Sequence, residues 1–307
     1  MNAITSSLGK ARRLINKSGF PYRAAPTPYG VEPAPVKKNT GSDFNTDWAR
    51  RYPARLTRAM IIEGLMRPAM KFLADPHISG VDRLSGIDGP VIFAANHHSH
   101  ADTPLLLSNI PDPWRHHLVV GAAADYFFST RVGGTISSLV MSAVPIERTK
   151  VGRRSAEMVR DLIDEGWSLI IFPEGGRSPD GWGQPFRGGA AYLAIRCGVP
   201  VVPIHIYGTG KILRKGKILP RPSSTKITFG DPLMPDEGQN AKRFAEKLET
   251  AVAALADEAS TDWWQARRRA YSKTSPDLTG PEVGGWRRIW ALGKNDRRSQ
   301  RKRWPDF

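Results

Sequence analysis

The sequence predicts an α/β fold: a mostly parallel central sheet flanked by helices, with an N-terminal amphipathic helical element and a basic C-terminal extension. Three observations carry this. Over residues 77–258, short apolar runs bounded by Gly, Pro or Asn alternate with stretches of helical period, as in a buried parallel sheet. Ahead of that region, apolar residues recur at three and four, the spacing of one helix face. Behind it, Trp and Arg accumulate without a sustained period. A length of 307 residues, with 40% apolar and 24% charged, allows a sizeable core and excludes wholesale disorder.

In chain order, residues 1–46 are rich in Pro, Gly, Ser and Asn and read as a mostly extended arm. Residues 47–76 read as the amphipathic element. Leu56, Met60, Leu65, Met66, Met70 and Leu73 mark its apolar set, and Arg51, Arg55 and Arg58 a basic stripe. Pro68 predicts a kink or a division in two. A helix of this kind suits either the plane of a membrane interface or docking on the sheet. In the central region the predicted strands are 91–95, 118–121, 143–146, 168–172, 201–206 and 226–229, and the predicted helices 154–165, 188–196 and 241–256. The extension, residues 259–307, is unlike the rest. From Asp262 onward it holds 12 Lys and Arg against 5 Asp and Glu, and five of the nine Trp. Pro276, Gly280, Pro281, Gly284 and Gly285 prevent one continuous helix there.

Lys and Arg total 45 against 29 Asp and Glu, a net charge of +16 that calls for an anionic partner. A single cysteine, Cys197, excludes an internal disulfide and a thiolate zinc cluster, and points to a reducing compartment. No run approaches the about 18 apolar residues of a membrane-spanning helix, and no apolar block of signal-peptide length follows the N-terminus. The chain is expected neither to be secreted nor to cross a bilayer, which leaves open that it lies on one.

Two blocks carry chemistry. Asn96-His97-His98-Ser99-His100-Ala101-Asp102 follows a predicted strand and spaces a carboxylate to fix an imidazole tautomer and stabilise its protonated form. Alone, the spacing is weak, and equally describes a polar turn with solvated or metal-binding histidines. Phe172-Pro173-Glu174-Gly175-Gly176-Arg177-Ser178 ends another strand with backbone that can approach an anion and a guanidinium that can grip phosphate. Its plainer reading is a tight turn closed by a Glu–Arg pair. Two further segments are less specific. Val144-Pro145-Ile146-Glu147-Arg148 places Arg148 at a strand end, and Val199-Pro200-Val201-Val202-Pro203 begins a strand that includes His205, by default a satisfied core histidine. If the strands are parallel, His97, Arg148 and Glu174 share one sheet edge. A base, an orienting acid and two arginines there suit transfer to a hydroxyl of a phosphate-bearing substrate; spacing does not name the group transferred.

In this order, with Gly80-Val81-Asp82-Arg83-Leu84 before them and Phe186-Arg187-Gly188-Gly189-Ala190-Ala191 between the last two, these blocks resemble the glycerolipid acyltransferase family, whose best-known bacterial members are 1-acyl-sn-glycerol-3-phosphate acyltransferases with an HX4D motif. The resemblance covers residues 80–233. It implies that His97 is the general base and Asp102 its orienting acid. It also implies that Arg148, Glu174, Gly175, Gly176 and Arg177 hold the phosphate and glycerol end of a lysophosphatidic acid-like acceptor. The donor would be acyl-CoA or acyl carrier protein, with no acyl-enzyme, no metal and no redox cofactor. An anionic membrane surface would be the other partner, at the cytoplasmic face of the plasma membrane, and no nucleic acid is expected. Gly176 departs from the family, which commonly has Thr, and this bears on acceptor selectivity. The competing expectations are acylation of glycerol 3-phosphate or of a lysophospholipid with a larger headgroup, or a non-catalytic basic scaffold binding lipid or nucleic acid.

Overall fold

The computed structural model describes residues 41–147, 152–178, 181–213 and 219–279. The N-terminal arm up to residue 40 and the extension beyond residue 279 lie outside the described residues. After a 3-10 turn over Asp47–Arg50 come two α-helices, α1 (Tyr52–Ile61) and α2 (Arg67–Ala74), joined by a π-helical turn over Ile62–Met66. The strands are β1 (Pro76–Ser79), β2 (Ile92–Ala95), β3 (Leu118–Ala123), β4 (Ala143–Ile146), β5 (Ser168–Ile171), β6 (Val201–Tyr207) and β7 (Thr225–Phe229). The remaining helices are α3 (Asp102–Asn109), α4 (Ala124–Phe127), α5 (Arg131–Met141), α6 (Arg153–Asp164), α7 (Gly189–Cys197), α8 (Thr209–Ile212), α9 (Ala241–Ser260) and α10 (Trp263–Tyr271).

The strands form one seven-stranded sheet in the order β1-β7-β6-β2-β5-β3-β4. β2 is parallel to both its neighbours, with Ile92 opposite Leu169 of β5 and Val201 of β6. β3 is parallel to β5 and β4. β6 pairs antiparallel with β7, and β1 completes that edge parallel to β7. The sheet is thus mostly parallel, as the sequence predicts. Every predicted strand forms within two residues of its expected ends. β1 was not predicted, because three of its four residues are exposed and no apolar run marks it.

Alternate strand residues feed two apolar layers, one on each face of the sheet. Phe93, Ile204, Ile206 and Phe229 pack with Leu105 and Leu106 of α3. Ile92 and Leu169 pack on the opposite face with Leu162 of α6, Leu193 of α7, and Phe244 and Leu248 of α9. Each such side chain contributes about 1.5–3 kcal/mol when fully buried. α5 was also not predicted, since Gly133, Gly134, Thr135, Ser137 and Ser138 are poor helix formers. Its Thr130 cap, which accepts from Gly133 N at 3.1 Å, and its packing against α1 and α3 outweigh that.

The N-terminal element both docks and remains open. Ile62 and Ala74 are buried and Met66 and Met70 pack on the core. Arg58, expected in a basic surface stripe, instead turns inward. It is 5% exposed and donates to the carbonyls of Ala49 (2.9 Å) and Ser138 (3.4 Å), fastening α1 to the end of α5. Burial first, and then Arg55 and Arg50, push its pKa down to about 10. Tyr52, Leu56, Met60, Leu65 and Phe72 stay exposed. The break falls at the π turn ahead of Pro68, which occupies the first turn of α2. Among the described residues no helix is long and apolar enough to cross a membrane.

Candidate active site

β2 and β5 are adjacent and parallel, so their chains leave the same carboxyl edge of the sheet, where open α/β sheets build sites. Asn96 ends β2. Its amide nitrogen donates to Ile206 O at 2.9 Å and its oxygen accepts from Ile206 N at 2.7 Å. The side chain thereby continues the ladder to β6 while the main chain turns away.

His97 follows. Its ring stacks on Phe172 at a centroid distance of 4.2 Å, and Nδ1 lies 2.9 Å from Asp102 Oδ2. Asp102, fully buried in the first turn of α3, uses the same oxygen to accept from the main-chain N–H groups of His98 (2.7 Å) and Ser99 (2.8 Å). A carboxylate can only accept, so Nδ1 carries the proton and Nε2 is left as the basic nitrogen. Asp102 Oδ1 is buried without a partner among the described residues.

The turn after β5 folds against this one. His97 N donates to Glu174 Oε1 at 2.8 Å, and Ser178 N donates to His97 O at 2.8 Å. The second oxygen of Glu174 accepts from Gln184 N at 2.9 Å, and the side chain is 1% exposed. Gly175 has φ +69°, and a Cβ there would meet the Arg187 guanidinium at 3.0–3.2 Å, so the position suits only glycine. Gly176 has open space around its absent Cβ.

A cavity of about 720 Å³ opens at this edge. His97, Glu174, Gly175, Gly176, Arg177 and Arg187 supply its polar lining. Val120, Ala122, Val140, Met141, Ile146 and Ile171, from β3, β4, β5 and α5, supply apolar lining. The structure therefore brings together every site residue read from the sequence except Arg148, which lies outside the described residues; its neighbour Glu147 lines the cavity. His100 and Tyr126 also line it, with rings stacked at 6.2 Å. Burial first, and then the charges of Arg177 and His97, hold the His100 pKa below the usual histidine value.

Other candidates fall away. The Ser99 hydroxyl donates to Leu213 O at 2.9 Å and accepts from Ala101 N at 3.1 Å, so it is structural. Burial first raises the Cys197 thiol to about 11, which leaves it inert. His205 is a core residue, as read, but not a satisfied one: Nδ1 has no partner among the described residues. Burial, and secondarily His98, push its pKa down to about 3, so it stays neutral. Among the described residues no group of three or more His, Cys, Asp or Glu could hold a metal ion.

Residues 75–207 match the family model described as Acyltransferase. Over those residues, the chain is similar to the acyltransferase family. The chloroplastic 1-acyl-sn-glycerol-3-phosphate acyltransferase of Brassica napus is 33% identical over 147 residues, 45% of this chain and 39% of that one. The corresponding protein of Chlamydomonas reinhardtii is 33% identical over 182 residues, 58% of this chain and 52% of that one. The chain thus spans about half or less of the length of these curated relatives. The crystal structure of the 1-acyl-sn-glycerophosphate acyltransferase of Thermotoga maritima shares the fold, with a TM-score of 0.54 and 23% identity over 72% of this chain and 86% of that one.

Within the matched residues, neither Gln184 nor Arg187 carries a role legible from spacing. Arg187 falls in the Phe186–Ala191 motif, whereas nothing around Gln184 marks it out. Arg83, in the Gly80–Leu84 motif, donates to Phe229 O at 2.8 Å and pairs with Glu258 at 2.8 Å, so it fastens α9 to the sheet.

Proposed function

We propose that this protein moves a fatty acyl group from a thioester donor, acyl-CoA or acyl carrier protein, to the free hydroxyl of 1-acyl-glycerol-3-phosphate, giving phosphatidic acid. The observation that carries the reading is one cavity lined by His97, whose Nδ1 is held by the buried Asp102, by the Glu174–Arg177 turn and by an apolar wall. Its volume lies in the range of small-molecule sites, about 300–1,000 Å³. His97 Nε2 takes the proton of the acceptor hydroxyl as its oxygen attacks the thioester carbonyl. The tetrahedral intermediate collapses, the carbon–sulfur bond breaks, and the imidazolium returns its proton to the leaving thiolate. Asp102 stabilises the imidazolium between these steps. Arg177, with Arg148, holds the acceptor phosphate, and the apolar wall takes acyl chain. No metal or redox group has a part in these steps.

The test is thiol release from palmitoyl-CoA with lysophosphatidate on mixed anionic vesicles. His97→Ala is expected to lower kcat by ~10²–10⁴-fold with an unchanged thermal midpoint. Equal activity in both proteins would remove His97 from the mechanism. Headgroup and donor identity follow from replacing the acceptor with glycerol 3-phosphate or larger lysophospholipids, and the donor with acyl carrier protein.

The substrates are bilayer lipids, and the reading therefore includes peripheral attachment to an anionic membrane at its cytoplasmic face. Supporting it, Leu65 and Phe72 are 67% and 77% exposed beside the exposed basic residues Arg67 and Lys71. Leu65→Asp with Phe72→Asp is expected to weaken sedimentation with anionic liposomes by at least about ten-fold. Binding equal to the parent protein would assign this face another role.

A further inference from the structure

The C-terminal extension lies outside the matched domain, yet part of it touches the active-site loop. α10 is held on the body by Arg267, 2.5 Å from Asp231, and by Arg269, 2.6 Å from the buried Asp257. The chain then returns, and Gly183 N donates to Leu278 O at 2.9 Å. A Cβ at Gly183 would stand 3.0 Å from Leu278 Cβ and 3.2 Å from Leu278 O, so the two segments meet backbone to backbone. The next residue, Gln184, gives its main-chain N–H to Glu174 and its side-chain amide to the carbonyls of Gly176 (3.3 Å) and Arg177 (3.2 Å). Glu174 in turn holds the main chain of His97. From the other side, Phe186 N donates to Glu249 of α9 at 3.0 Å.

We propose that residues 272–279 act as a positioning strap, which through Gly183 and Gln184 sets the turn that carries Glu174 and Arg177 and thereby the acceptor end of the site. The strap touches no reacting atom. It acts by fixing Gln184, whose three hydrogen bonds place one carboxylate and two carbonyls at the turn. Such placement matters because small displacements of a positioned group cost rate or affinity steeply. The inference rests on the proposed function for its kinetic consequence, but not for its structural one.

The test uses the full-length chain. Gly183→Ala pushes Leu278 away while keeping the donor, Gly183→Pro removes the donor, and Gly183→Ala with Leu278→Gly relieves the nearest contact. Amide exchange at His97 and Gln184, read without substrate, is expected to quicken about ten-fold in both single variants and to return toward the parent rate in the double one. The acceptor KM is expected to rise about three- to ten-fold in Gly183→Ala, with the donor KM unchanged and recovery in the double variant. Should Gly183→Pro fail to fold, Gly183→Ala carries the comparison. Unchanged exchange at both amides in Gly183→Ala overturns the strap. So does faster exchange with only a lower melting temperature and an unaltered acceptor KM, the mark of a merely structural anchor. Absence of transfer by the parent protein would refute the proposed function alone, and the exchange result would still decide the strap.

Discussion

The start of α3 and the turn after β5 each bring a buried carboxylate to His97, and the two act on different parts of it. Asp102 gathers the His97 ring and two main-chain N–H groups on one oxygen. Glu174 divides its oxygens between the main chains of His97 and Gln184. The first arrangement sets a tautomer and leaves a base; the second sets where that base stands. Charge and burial are alike in the two residues, so partner atoms, not environment, separate their roles.

The sharpest way to break this comparison is Asp102→Asn. The amide oxygen can still accept from the same donors, but the neutral group no longer stabilises an imidazolium. A ~10²–10³-fold fall in kcat with little change in acceptor KM is expected from steady-state kinetics. A KM effect alone would mean that Asp102 serves binding. Glu174→Gln should act differently. Gln has one acceptor oxygen for two main-chain donors, so either His97 N or Gln184 N loses its partner. Chemical denaturation should show a loss of about 1–3 kcal/mol, with kcat/KM falling about ten-fold. Full stability in that variant would contradict the positioning role. The smallest effect belongs to Gly176→Thr, where the space for a side chain is open. Unchanged stability and an acceptor KM within about three-fold are expected, and a large loss would show that the turn needs glycine there.

The ordered motif blocks made the residues of the candidate site largely legible in advance. Parallel strands with apolar runs predicted that the ends of β2 and β5 would share an edge, and His97, Asp102, Glu174, Gly175, Gly176 and Arg177 meet there. Legibility failed where local signals were weak or contradicted. β1 is an exposed edge strand without an apolar run, and α5 is a helix of small and hydroxyl-bearing residues held by its neighbours. Arg58 followed helical spacing onto a basic stripe, yet its α1 register turns it to the carbonyls of Ala49 and of Ser138 in α5. The extension was readable only as charge and tryptophan.

What the sequence determined alone was fold class, the strand ends that carry chemistry, and the residue types gathered there. These depend on patterns a few residues long: period two or three-and-a-half, and a turn at a strand terminus. Tertiary structure decided which atoms meet. Whether Glu174 binds a ligand or a neighbouring main chain, whether Arg58 faces water, and whether Leu278 reaches Gly183 all depend on contacts between distant segments. Hydrogen bonds of that kind leave no period in the sequence, because their partners are set by how packed layers align and not by spacing along the chain.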